Sequence, residues 1–149
     1  MLPQRFPIII LVLLAAALVY PQDPIEHQDP CFGSGTQSEI NQCMHGRSQA
    51  ATQRLNDLYK HIEGSLESQL SDARKSKSAD QVKYEERGLK NLRKAEAAWT
   101  AYRDAHCAAA WQRFEGGTMA RAVYSGCVWH ITEHRIDELK EAYGEDLGE

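Results

Sequence analysis

Four cysteines, a His-x-x-Glu-His segment and a Trp-x-x-Tyr-Arg-Asp-x-x-Cys run are the residues of this 149-residue chain whose types and spacing could do chemistry. Cys31, Cys43, Cys107 and Cys127 are even in number, and no pair stands in Cys-x-x-Cys spacing. Oxidation to disulfides is therefore favoured over zinc ligation. His130-Ile-Thr-Glu133-His134 matches the zinc pattern of one metallopeptidase group, and both histidines fall on one helical face. A catalytic zinc needs a further ligand and a cleft with an open coordination position. Only fifteen residues follow His134, so two solvated histidines are the favoured reading. A surface metal site at His130 and His134 is the weaker one, and a metal-dependent hydrolase using Glu133 the remotest. Ser, His and Asp occur without the Gly-x-Ser-x-Gly context of a nucleophile elbow. The paired carboxylates Glu85-Glu86 and Asp137-Glu138 read as solvated helix faces. No cofactor is indicated.

The elements that must position these groups are helices. Thr36-Gln-Ser-Glu39 is a capping box, followed by apolar residues at Ile40, Met44, Ala51, Leu55, Leu58, Ile62, Leu66 and Leu70. Gly46 and Gly64 are points where this first helix should bend or fray. Ser71–Lys77 is polar and reads as a turn. Ser78-Ala-Asp-Gln81 is a second capping box, opening a helix with Val82, Leu89, Leu92, Ala95, Trp99, Tyr102, Ala110 and Phe114 on its apolar side. Gly116 should cap its C-terminus and Thr118 the N-terminus of a third helix. That helix carries Met119, Val123, Cys127, Val128, Ile131, Leu139 and Ala142 and should stop near Gly144. Trp111, Tyr124 and Trp129 are either core or anchors for a partner. The fold class expected is all-α: an antiparallel bundle of three main helices.

The cysteines bear on that architecture. Cys107 lies nine residues before Gly116 and Cys127 ten residues after Gly117. Helices folded back at the Gly-Gly break rise about 1.5 Å per residue, so nearly equal offsets set both sulfurs level. The same height argument across the first turn, centred near Arg74, places Cys43 close to the level of Cys107. Cys31 precedes the first helix at that end, so all four gather at one pole. Cys107–Cys127 and Cys31–Cys43 are the preferred pairs; Cys43–Cys107 with Cys31–Cys127 is the alternative.

Outside the bundle, Arg5 and the apolar run Ile8–Val19 read as an export signal over residues 1–20, with an uncertain cleavage bond. The run has twelve residues against the roughly twenty that span a bilayer, so no stable membrane insertion is expected after cleavage. Three prolines make 21–35 an extended leader, the helical domain occupies 36–144, and 145–149 is an acidic tail. The expected location is periplasmic or secreted. With 17 Lys and Arg against 21 Asp and Glu, the formal charge is −4. No basic stripe is present, which argues against nucleic-acid binding.

The run Trp99-x-x-Tyr102-Arg103-Asp104-x-x-Cys107, the Gly116-Gly117 break and the downstream Cys127-x4-Thr132-x2-Arg135 form a set. Thr36-x-x-Glu39-x-Asn41-x-Cys43 and Leu55-Asn56-x-x-Tyr59 accompany it. Together they resemble the LprI-like lysozyme-inhibitor domain family over roughly Cys31 to Leu139. The resemblance implies a small exported helical domain with no enzymatic activity, acting by binding and blocking a cell-wall hydrolase. The chain departs from the family's lipoprotein namesake in lacking a cysteine close after the apolar run, so a soluble protein is implied. Glu39, Asn56, Trp99, Tyr102, Arg103, Asp104, Thr132 and Arg135 are expected to form a polar network fixing helix register. Glu115, Gly116, Gly117 and Thr118 are the candidate partner-binding residues, with the cysteine-tied end as the other candidate surface. The partner class is a lysozyme or another envelope protein, and an envelope interaction module without inhibitory activity is the alternative function.

Overall fold

The computed structural model describes residues 30–33 and 35–147. The expected export signal, residues 21–29 and 34 of the leader, and the last two residues lie outside that range. A 3-10 turn, Pro30–Phe32, leads to three helices: α1 (Gln37–Lys75), α2 (Ala79–Gln112) and α3 (Ala120–Leu147). They run down, back and down again, so α1 and α3 are parallel and α2 is antiparallel to both. No strand occurs among the described residues. None of the described helices is long and apolar enough to cross a membrane.

Helical periodicity builds the core. Leu55, Ile62, Leu66 and Leu70 of α1, Leu89 and Leu92 of α2, and Ile136 and Leu139 of α3 form one buried cluster. Tyr59, Val82, Trp99 and Tyr143 pack on its flank. A second, smaller cluster of Cys31, Met44 and Ala122, with Ile40 and Trp129 beside it, lies at the opposite pole. There α1 and α3 come close because residue 126 is a glycine. A Cβ at Gly126 would stand 2.8 Å from the Met44 terminal methyl.

Local signals set most boundaries, and several differ from expectation. The Thr36 capping box forms: the Glu39 amide donates to Thr36 Oγ1 at 3.4 Å and the Thr36 amide to Glu39 Oε2 at 2.6 Å. The second box does not form. Ser78 is the N-cap residue but makes no side-chain cap bond, and Gln81 instead donates from its side-chain Nε2 to Glu85 Oε1. Glu85 is buried rather than solvated. The polar stretch 71–75 stays helical, because Ala73 is buried and Lys75 pairs with Asp72 at 2.8 Å. The reversal is confined to Ser76–Ser78, with Lys77 at φ 58°. Gly46 and Gly64 lie inside α1 without breaking it. α2 stops at Gln112 with Arg113 as its C-cap, so Gly116 is not the cap. Its φ of 80° turns the loop instead, a conformation that favours glycine. Thr118 does not cap α3, whose first turn is closed by backbone bonds from Ala120 to Gly117 and from Val123 to Met119. α3 continues past Gly144, with a kink at Tyr143 (φ −127°).

Two disulfides staple the cysteine pole. Cys107 joins Cys127 with Cα atoms 5.5 Å apart, and Cys31 joins Cys43 at 5.6 Å. The first ties α2 to α3 and the second ties the incoming chain to α1.

Candidate functional site

The cysteine pole brings together the start of α1, the end of α2, the 113–119 loop and the start of α3. Asn41 of α1 donates from Nδ2 to the Thr118 carbonyl at 3.2 Å, so the loop rests on α1. The two surfaces expected separately, the Gly-Gly turn and the cysteine-tied end, are therefore one continuous face. Glu115, Gly116, Gly117 and Thr118 are all exposed on it. So are Phe114 (45% exposed) and Met119 (43%), two residues expected on the apolar helix faces. The loop carries them past the point where the helices pack, so no core reaches them.

Beside the loop is a groove of about 740 Å³. Ser38, Asn41, Gln42 and His45 supply its α1 wall at steps of three and four. Ala108 and Trp111 supply the α2 wall, and Arg121, Tyr124 and Ser125 the α3 wall. No Asp or Glu lines it. Ser125 is only 6% exposed, and its hydroxyl makes no hydrogen bond to another described residue. Sequence reading by apolar periodicity passed over this wall. The signal that could have found it is the same helical step carrying Ser, Asn, Gln and His instead of leucine.

The expected polar network is split. Its centre exists: Arg103 lies over the Trp99 ring at 5.1 Å and Arg135 over the same ring at 5.8 Å. Arg103 pairs with Asp104 at 2.8 Å. Arg135 pairs with Glu138 at 3.1 Å and Glu96 at 3.4 Å, two partners not anticipated. Each stands three positions from Trp99 or Arg135 on its own helix, the spacing at which side chains on one face meet. Burial, with Glu63 and Glu96 nearby, pushes the Tyr59 phenol above its ordinary value. Glu39 and Asn56 stand apart from that centre. Glu39 is committed to the α1 cap, and Asn56 lies on an exposed face. Tyr102 is exposed, lines one pocket with Trp99, and meets His106 at 5.5 Å between ring centres. Thr132 is fully buried, and its hydroxyl has no partner among the described residues.

His130 and His134 line one pocket with Trp99, Tyr102 and Glu138, but Glu133 is engaged elsewhere. Glu133 accepts from Trp129 Nε1 at 2.8 Å and pairs with Arg54. His130 lies against Trp129 at 4.4 Å, while His134 Nδ1 meets Glu138 at 3.0 Å. No group of three or more His, Cys, Asp or Glu among the described residues is placed to hold a metal. Trp129 itself is half-buried, with Arg47 over its ring at 4.4 Å, and so belongs to the packing between α1 and α3.

Residues 29–139 match the family described as Lysozyme inhibitor LprI. An uncharacterized protein of Rhizobium meliloti (strain 1021) is 30% identical over 138 residues, which covers 91% of this chain and 91% of that protein. No solved structure matches the chain.

Proposed function

The chain belongs to the lysozyme inhibitor LprI family, and from that membership we propose that it acts outside the cytoplasm by binding and blocking a cell-wall hydrolase of the lysozyme class. The observation that carries this reading is the extent of the family match, which takes in all four cysteines and almost all of the three helices. The two disulfides agree with an oxidising compartment.

Blocking such an enzyme requires covering a cleft that works through two carboxylates. The exposed loop at the cysteine pole suits that task. Phe114 and Met119 supply the apolar side chains that concentrate binding energy at interfaces, and the disulfides beneath hold the loop's base in place before contact. The formal charge of −4 would speed encounter with a basic hydrolase. The role is binding, without catalysis by this chain.

The test is the rate of cell-wall lysis by several lysozyme classes with purified, oxidised protein added. At least one class should slow at roughly micromolar protein, and less so at about 0.15 M salt than at low salt. Replacing Phe114 and Met119 together by alanine should weaken the inhibition about tenfold or more. If no class slows, the inhibitor reading fails. Binding without slowing would instead identify an interaction module.

A further inference from the structure

Over most of the bundle the facing helix stripes carry leucine and isoleucine, yet around the groove at the cysteine pole the same spacing carries hydrogen-bonding groups. Its walls are fixed in advance. Cys107–Cys127 ties α2 to α3 within four residues of both Trp111 and Tyr124, and Cys43 lies beside Gln42 on α1. Its volume of about 740 Å³ lies in the range of small-ligand sites, roughly 300–1,000 Å³. Ser125, a residue 6% exposed, borders this space with a hydroxyl bonded to no described residue.

The lining restricts what the groove can hold. Trp111 and Tyr124 border the groove, and aromatic side chains are the kind that stack on the C–H faces of a sugar ring. Gln42, Ser38 and Ser125 offer amide and hydroxyl groups for ring hydroxyls and acetamido substituents. Arg121 is the fixed cation, His45 stands with it, and no carboxylate opposes them. A purely aliphatic ligand would leave these polar groups unsatisfied. A polyphosphate would ask for more than one fixed cation. We propose that the groove binds a short oligosaccharide of N-acetylated amino sugars carrying a carboxylate. The proposal rests on the groove's own chemistry and holds whether or not the chain slows a lysozyme.

Calorimetric titration of the oxidised, full-length exported protein tests it. The probes are an N-acetylglucosamine–N-acetylmuramic acid disaccharide, chitotriose and maltotriose. The carboxylate-bearing disaccharide should bind with a sub-millimolar Kd, chitotriose about tenfold more weakly, and maltotriose without measurable heat. Arg121→Gln should erase the preference for the disaccharide while leaving chitotriose binding in place. Trp111→Ala and the milder Tyr124→Ala should each weaken both acetamido sugars about tenfold, with thermal melting confirming the fold. Equal binding of maltotriose, or no heat from either acetamido sugar at roughly 10 mM, would overturn the assignment. So would wild-type affinity in Tyr124→Ala together with Trp111→Ala.

Discussion

At the scale of single residues, the informative ones are polar groups inside the bundle. Thr132 lies at a position where helical periodicity calls for an apolar side chain, is 0% exposed, and leaves its hydroxyl unbonded among the described residues. A buried hydroxyl without a partner costs about 1–3 kcal/mol, and valine keeps the branched shape while removing it. Thr132→Val should therefore leave stability unchanged or raise it by about 1 kcal/mol in urea titration. A loss of that size would show that the hydroxyl is engaged. Arg103 and Arg135 illustrate a different lesson. Their meeting at Trp99 follows from their heights on facing helices, which the sequence carries. Of their carboxylate partners, Asp104 and Glu138 are near neighbours on the same helix, whereas Glu96 meets Arg135 from the facing helix, which depends on the rotation of each helix about its axis. Heights alone do not reveal Glu96, while Glu138 is legible from its spacing to Arg135, and Glu39 is engaged at the α1 cap.

At the scale of elements, each boundary records a contest between local signal and packing. The Thr36 box forms because both of its residues are exposed at the helix start, where among the described residues their side chains bond only to each other. The Ser78 box has the same spacing, yet Gln81 is drawn to the buried Glu85 carboxylate. The first box also has a pH signature. The Thr36 amide, and secondarily its hydroxyl, hold the Glu39 carboxyl below its ordinary value of 4.5. A depressed carboxyl contributes stability above its unfolded value and loses it as pH falls through the folded one. The stability advantage of wild type over Glu39→Gln should thus be present near pH 6 and shrink towards roughly pH 3. Urea titrations of both proteins at the two pH values measure it, and an advantage that grows on acidification would contradict the cap. Hydrogen bonding at the α1 start also predicts that Thr36→Ala costs about 1 kcal/mol.

At the scale of the whole molecule, the bundle is held unevenly. The large aliphatic cluster fills the half away from the cysteines. The pole carrying the loop and the groove has only a small cluster and two disulfides. Closing the loop between Cys107 and Cys127, separated by 20 residues, contributes roughly 3 kcal/mol by the chain-entropy estimate. Reduction should lower the melting temperature by roughly 10 °C or more. The Cys31–Cys43 pair spans 12 residues and holds only the incoming chain, so Cys31→Ser with Cys43→Ser should cost less than removing the other bridge. A melting curve indifferent to reductant would mean that the pole is held by packing alone.

The sequence by itself determined the helices and their order, the clustering of the cysteines at one pole, and the kinship that points to a lysozyme inhibitor. Those follow from one-dimensional quantities: the period of apolar residues, offsets from a turn, and motif spacing. The tertiary structure decided what depends on the angle between helices and on which groups compete for a partner. It buried Glu85, engaged Glu133 with Arg54 and Trp129, and laid the 113–119 loop against Asn41. It also opened the groove, whose walls come from three segments far apart in the chain, a convergence that no single helix's pattern encodes.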